Sequence, residues 1–149
     1  MLSDSTLISV GTTIWTLGLA PNPVIRSLQL PVTPSGQAIV DESYRVRDMH
    51  GVYSIGDCAN IVDPKSGAAD RMTCKEAIPQ ANRLGSIIID DLTGQTTPVH
   101  KALFDSFAVG LGPGRGLVWT HKWGVNVMIT GKLAYKIKLY VWDFASLLK

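Results

Sequence analysis

The stretch from Thr73 to Gly94 constrains the fold most, because it is the longest run with helical spacing and has signals at both ends. Thr73 followed by Glu76 fits a capping box, in which each side chain takes up a backbone N–H at a helix start. Ala77, Ala81, Leu84, Ile88 and Leu92 then recur at the spacing of one helical face, and Gly94 is a stop. Pro79 conflicts with an uninterrupted helix: either the helix begins there or it is kinked there.

On either side of this segment Gly and Pro cut the chain into short pieces. Ile8 to Leu19 reads as a strand stopped by Gly18. Ala20 to Pro23 is extended or turning, since Pro21 and Pro23 push the residues before them out of the helical region. Leu28 to Gly36 is loop, Ala38 to Val46 is strand, and Met49 to Gly51 is a turn. Gly51 to Asp57 is an apolar strand ending in Gly-Asp. Past Pro98, Leu103–Val109, Leu117–Thr120 and Val125–Ile129 read as strands, with a turn at Thr130-Gly131. Ile137, Tyr140, Val141, Phe144, Leu147 and Leu148 then share one helical face. Strands, one long helix, strands and a helix make an α+β fold, or part of a larger α/β assembly.

Composition removes several function classes. The 149 residues carry 14 basic and 12 acidic side chains, a net charge of +2, too balanced to point to nucleic acid. No run of 18 apolar residues is present, so no simple membrane span is expected. The first segment lacks the basic start and apolar run of a secretory signal. Two cysteines make neither a disulfide framework nor a zinc site, so a reducing, cytoplasmic compartment is expected. His50, His100 and His121 are dispersed, without ligand spacing, and read as surface or loop residues; no metal site is expected. Cys58 and Cys74 are not a C-x-x-C pair and read as small buried residues. No residue stands out as a general acid or base.

The chemistry concentrates in GVYSIGDCAN, Gly51 to Asn60. A strand ending in Gly-Asp sets a carboxylate at the carboxyl edge of a sheet, where open α/β sheets bind ligands. Gly56 has no side chain, so a ligand phosphate can approach its backbone. Asp57 can accept hydrogen bonds from sugar-alcohol hydroxyls. The plainer reading is a strand followed by an Asp-initiated turn.

Three motifs in order change that balance. IWTLGLAPNP, VYSIGD and MTCKEAIPQANRLG resemble successive segments of the flavin-dependent pyridine-nucleotide oxidoreductases, closest to the branch of type II NADH dehydrogenases and apoptosis-inducing-factor-like proteins. GLGPGRGLVWT and ITGKLAYKIK resemble the hairpins and following helix of that family's C-terminal domain. The resemblance implies FAD as cofactor and NAD(P)H as substrate, with hydride passing to the flavin and electrons to an acceptor such as quinone. It implies that Gly56 and Asp57 hold the ribityl-phosphate part of FAD, and that Thr73, Cys74 and Lys75 lie at the pyrimidine edge of its ring. Unpaired N–H groups at a helix start, with a cationic Lys75, would stabilise negative charge on a reduced flavin. The stretch departs from the quinone-reducing pattern: glutamines usual at the positions of Lys75 and Pro79 are missing and only Gln80 is kept, which puts quinone in doubt.

By the same resemblance, residues 1–96 are the tail of an NADH domain and the C-terminal part of an FAD-binding α/β domain, and residues 97–149 a small, truncated C-terminal domain. No G-x-G-x-x-G, the pyrophosphate fingerprint, occurs in the sequence; Gly110 and Gly112 followed by Arg115 fail at the last glycine. The missing N-terminal FAD and NADH domains of the same chain are the expected partner, and the fragment alone is expected to be inactive. GPGRG has no Lys-Ser or Lys-Thr after it and reads as a Gly-rich hairpin loop. The tail, with Tyr135, Tyr140 and Trp142 beside Lys132, Lys136 and Lys138, offers a peripheral contact with the inner face of a membrane or, more plainly, a helix packed on its own domain. The alternative to the enzyme is a non-catalytic interaction module that forms homo-oligomers through its aromatic strands and tail helix.

Overall fold

The computed structural model describes residue 7, residues 9–12, residue 14 and residues 18–146. Residues 8, 13 and 15–17 of the strand expected at Ile8–Leu19, and the ends of the tail face at Leu147 and Leu148, lie outside the described residues; the described residues 9–12, 14 and 18–20 are neither strand nor helix, so that strand is not formed there. The chain is α+β. A four-residue helix, α1 (Val24–Ser27), follows Pro23, with the Asn22 side chain accepting from the Val24 N–H at 3.0 Å. Strands β1 (Ala38–Ile39) and β2 (Ala59–Asn60) pair in parallel, Ala38 opposite Ala59. The long helix α2 (Cys74–Thr93) follows, then strands β3 (Asp105–Gly110), β4 (Gly116–Lys122) and β5 (Val125–Thr130), then α3 (Gly131–Ser146).

Two expected strands are replaced by turns. Ala38–Val46 is strand only at its first two residues, because Asp41 folds the chain back. Its carboxylate accepts from the Ser43 and Arg45 N–H groups at 2.8 and 2.9 Å, and Tyr44 takes a positive φ of 66°. An Asx turn of this kind competes directly with a ladder. Val40 and Val46 end up facing each other as one antiparallel bridge. Gly51–Asp57 likewise makes one bridge, Arg45 to Tyr53, and no strand. At Gly56 the φ of 67° ends the extended run, and Gly56–Cys58 forms a 3₁₀ turn leading into β2.

Helix α2 runs unbroken from Cys74 through Pro79 to Thr93. Gly94 closes it in the left-handed conformation, φ 69°, its N–H donating to the Asp90 carbonyl. The face turned inward is not the expected apolar one. Glu76, Gln80 and Ile87 are buried, while Ala81, Ile88 and Leu92 are exposed. Spacing could not reveal this, because two of the three buried residues are polar. Ile87 packs with Tyr44, Ala59 and Ile61, flanked by Val40, Tyr53, Ile55 and Leu84. This cluster joins α2 to the 38–61 segment.

The second layer is an antiparallel β3-β4-β5 sheet with α3 laid on it. The Gly-rich segment is a hairpin loop, as its sequence suggests: the Leu111 N–H donates to Arg115 O at 2.9 Å. The β4–β5 turn has Trp123 and Gly124 at φ 53° and 77°, the signs that a two-residue type I′ turn requires. Gly116 permits the contact between layers, since a Cβ there would lie 2.6 Å from the Tyr135 nitrogen. No described helix is long and apolar enough to cross a membrane.

Candidate functional site

The residues singled out in the sequence converge on the first two turns of α2, in two groups. Thr73, Cys74, Lys75 and Glu76 line a groove of about 560 Å³ between the start of α2, β3 and α3. Its walls are mainly apolar: Phe104 and Phe107, Val118, Ile137 and Val141. Gly56 and Asp57 do not line this groove. They lie on the 3₁₀ turn beside α2, where a Cβ on Gly56 would sit 3.7 Å from that of Ala77.

Thr73 stands at the N-cap position with extended backbone, but the capping box does not form. The Thr73 N–H donates to Arg71 O at 2.9 Å, so it does not call on Glu76. The Thr73 hydroxyl oxygen and Glu76 Oε2 are both buried without a partner. A helix start leaves its first N–H groups without intrahelical acceptors. With no side-chain cap, the amides of Cys74 and Lys75 stay open at the positive end of the helix dipole. Lys75 is drawn back into the fold: its ammonium donates to Phe104 O and pairs with Glu76 Oε1, each at 3.1 Å. Its charge is therefore partly balanced. Cys74 is exposed, contrary to the reading of both cysteines as buried, because it is the first residue of α2 and turns away from the core. Cys58 is half-buried, with its thiol donating to Ile55 O at 3.1 Å.

Asp57 is exposed and makes no hydrogen bond or ion pair with another described residue. Its carboxylate is open to an outside donor. The Gly56 N–H already donates to Gln80 Oε1 at 2.7 Å, so what Gly56 offers a ligand is the space of its missing side chain, not a donor.

Sequence reasoning missed the polar support beneath this turn. Gln80 is 2% exposed, and its Nε2 donates to Asp70 Oδ2 at 2.8 Å. His100, expected on the surface, is also 2% exposed, because the chain beyond α2 returns beneath the helix and the His100 N–H donates to Glu42 O at 2.7 Å. Its Nε2 lies 3.2 Å from Asp70 Oδ2, close enough for an ion pair but not aligned as a hydrogen bond. Its Nδ1 faces the Tyr44 hydroxyl at 3.0 Å and Arg83 at 3.3 Å. Arg83 can only donate, so Nδ1 accepts and the proton belongs on Nε2, towards Asp70. Burial raises the Tyr44 pKa above its usual value, opposed by its hydrogen bond from Arg83. Glu76 and Gln80 lie one turn apart on the face that continues through Leu84 and Ile87, but no apolar pattern in the sequence marks that face. Among the described residues no group of His, Cys, Asp and Glu could hold a metal.

The family described as pyridine nucleotide-disulphide oxidoreductase matches residues 1–82. The chain is 35% identical over 63 residues to the "internal alternative NAD(P)H-ubiquinone oxidoreductase A1, mitochondrial" of Arabidopsis thaliana, covering 42% of this chain and 12% of that protein. It is 38% identical over 63 residues, with the same coverage, to the Solanum tuberosum protein of that name. A "probable NADH dehydrogenase" of Dictyostelium discoideum is 23% identical over 87 residues, 58% of this chain and 19% of that protein. These alignments thus span less than a fifth of the relatives' length.

Proposed function

Because the chain belongs to the pyridine nucleotide-disulphide oxidoreductase family, we propose that it forms the flavin-facing C-terminal part of an FAD-dependent oxidoreductase that takes hydride from NAD(P)H. When bound, FAD would supply the redox chemistry, accepting hydride and releasing electrons to a second substrate. Residues 1–96 would complete the FAD and NADH domains, and residues 97–149 would form the C-terminal interface domain.

The observation that carries this reading is the open start of α2 beside an unengaged carboxylate. The donors fit the group. Amides of Cys74 and Lys75, with the orphaned Thr73 hydroxyl, suit the electron-rich pyrimidine edge of a flavin. The exposed Asp57 carboxylate suits the hydroxyls of a ribityl chain. These residues bind and orient; Phe104, Phe107 and Val141 give the groove beside them an apolar wall.

Quinone is the acceptor class we favour. The groove is apolar, and two relatives carry ubiquinone in their names, despite the departures at Lys75 and Pro79. The exposed Tyr140, Trp142 and Phe144 of α3 fit a peripheral position on a membrane, where a quinone is met.

The test is spectroscopic. The protein carrying this segment together with the glycine-fingerprint half should show flavin absorbance that NADH bleaches and a quinone restores. The 149 residues alone should bind FAD weakly and turn nothing over. A colourless full protein sinks the enzyme reading, and tight stoichiometric FAD on the 149 residues alone sinks the divided site.

A further inference from the structure

We infer that Gln80 is a positioning residue: it clamps the Gly56 amide, and so fixes the turn that presents Asp57 to the flavin. The inference rests on the FAD reading above and adds to it a residue that touches no cofactor. Three contacts define the clamp. Gln80 Oε1 accepts from the Gly56 N–H at 2.7 Å, Gln80 Nε2 donates to Asp70 Oδ2 at 2.8 Å, and the same Asp70 oxygen lies 3.2 Å from His100 Nε2. The chemistry allows one orientation of the amide. An ionised carboxylate only accepts and a backbone N–H only donates, so the NH₂ end must face Asp70 and the oxygen must face Gly56.

The surroundings make the clamp stiff. Gln80 and His100 are each 2% exposed, which limits competition from water for these bonds. The Gln80 amide has a partner at each end, which holds the side chain in one geometry. Gln80 projects from the second turn of α2, so the clamp ties the Gly56–Cys58 turn to the same helix whose first turn carries Thr73, Cys74 and Lys75. The two halves of the proposed site are thereby set at a fixed separation. No other residue type does this. Glutamate would face Asp70 carboxylate to carboxylate, and methionine would fill the space but make neither bond.

The test uses the flavoprotein that contains this chain, with three variants: Gln80→Met, Gln80→Glu, and Gln80→Glu with Asp70→Asn. The double variant restores a donor opposite an acceptor at both Gln80 contacts, but it sets the asparagine NH₂ against the His100 Nε2–H, so its rescue is partial. Two quantities are read at neutral pH: the FAD dissociation constant of the apoprotein, and the hydrogen-exchange rate of the Gly56 amide. Gln80→Met and Gln80→Glu should each weaken FAD at least tenfold and speed Gly56 exchange at least tenfold. The double variant should recover at least threefold of each loss; no recovery relative to Gln80→Glu overturns the inference. Methionine preserves the helix and the volume, so it keeps the test decisive should the glutamate variant not fold. Faster Gly56 exchange with unchanged FAD affinity, or loss of affinity without faster exchange, overturns the inference alone. A wild-type flavoprotein that takes no FAD overturns the reading of the site, and the inference with it.

Discussion

Asp57 and Thr73 are idle in the protein by itself, and idleness makes their predictions sharp. An exposed carboxylate without a protein partner contributes little to stability. Asp57→Ala should therefore leave the melting temperature within about 2 °C of wild type while weakening FAD at least tenfold in the full flavoprotein; a flavin titration beside a thermal melt checks both. Thr73 has the opposite sign in its two readouts. Its hydroxyl is buried and unpartnered, which costs a fold about 1–3 kcal/mol. Thr73→Val keeps the shape and removes that cost, so the apoprotein should become more stable in a denaturant melt while FAD binding falls. A valine variant that loses stability without flavin would show that the hydroxyl caps α2 after all. The proposed site residues are marked in the sequence by short motifs. Gln80, Asp70 and His100 are not, since nothing in a one-dimensional pattern says that a polar residue is buried and matched. Their roles appear only once α2 brings Gln80 under Gly56 and the chain beyond it brings His100 under Asp70.

At the scale of elements, the long helix, its Gly94 stop and the three-strand sheet with its glycine hairpin were all readable, because each rests on local chemistry. Pro79 shows the limit. It occupies the second turn of α2, where its missing N–H orphans only the Lys75 carbonyl, and the helix continues through it. The strands expected at 38–46 and 51–57 failed where side chains intervened: Asp41 captured two amides that a ladder would have used, and Gln80 captured that of Gly56. The docking of α3 on the sheet depends on one absent side chain. A Cβ at Gly116 would meet the Tyr135 nitrogen at 2.6 Å and the Ala134 carbonyl carbon at 2.9 Å, both backbone atoms that cannot swing aside. Gly116→Ala must push α3 off β4. We expect a loss of about 1–3 kcal/mol in chemical denaturation. Gly112→Ala is the control for conformational freedom: its φ of 103° strains alanine, but open space surrounds it, so its effect should leave the α3 contact intact. Equal disruption of α3 protection by the two variants would remove the steric argument.

The whole molecule has a small core and relies on polar clamps to hold α2 against its surroundings. At the C-terminal end of the helix, Arg45 forks onto Asp91 and also reaches Asp41 and Thr97, while the Tyr53 hydroxyl donates to Asp91. These donors hold the Asp91 carboxyl down at about 2, the hydrogen bond from Arg45 contributing most and that from Tyr53 next, and the same contacts raise the Arg45 guanidinium above its usual value. The sign for stability follows from linkage. A carboxylate that titrates lower when folded than when unfolded binds fewer protons in the native state. Its stabilisation is complete above the unfolded value of about 4 and disappears as pH falls from there through about 2. Asp63, whose carboxyl is lowered first by the Ser66 hydroxyl and then by the Ser66 amide, adds a smaller slope in the same direction. Melting temperature measured from pH 6 down to pH 2 should therefore fall steeply below pH 4 in the wild type. In Asp91→Asn it should start lower and fall less, converging on the wild type at the acid end, with the residual slope carried by Asp63. Parallel curves for the two proteins across that window would mean that the Arg45 fork is a surface contact without consequence, and that this end of α2 is held by the Tyr44–Ile87 cluster.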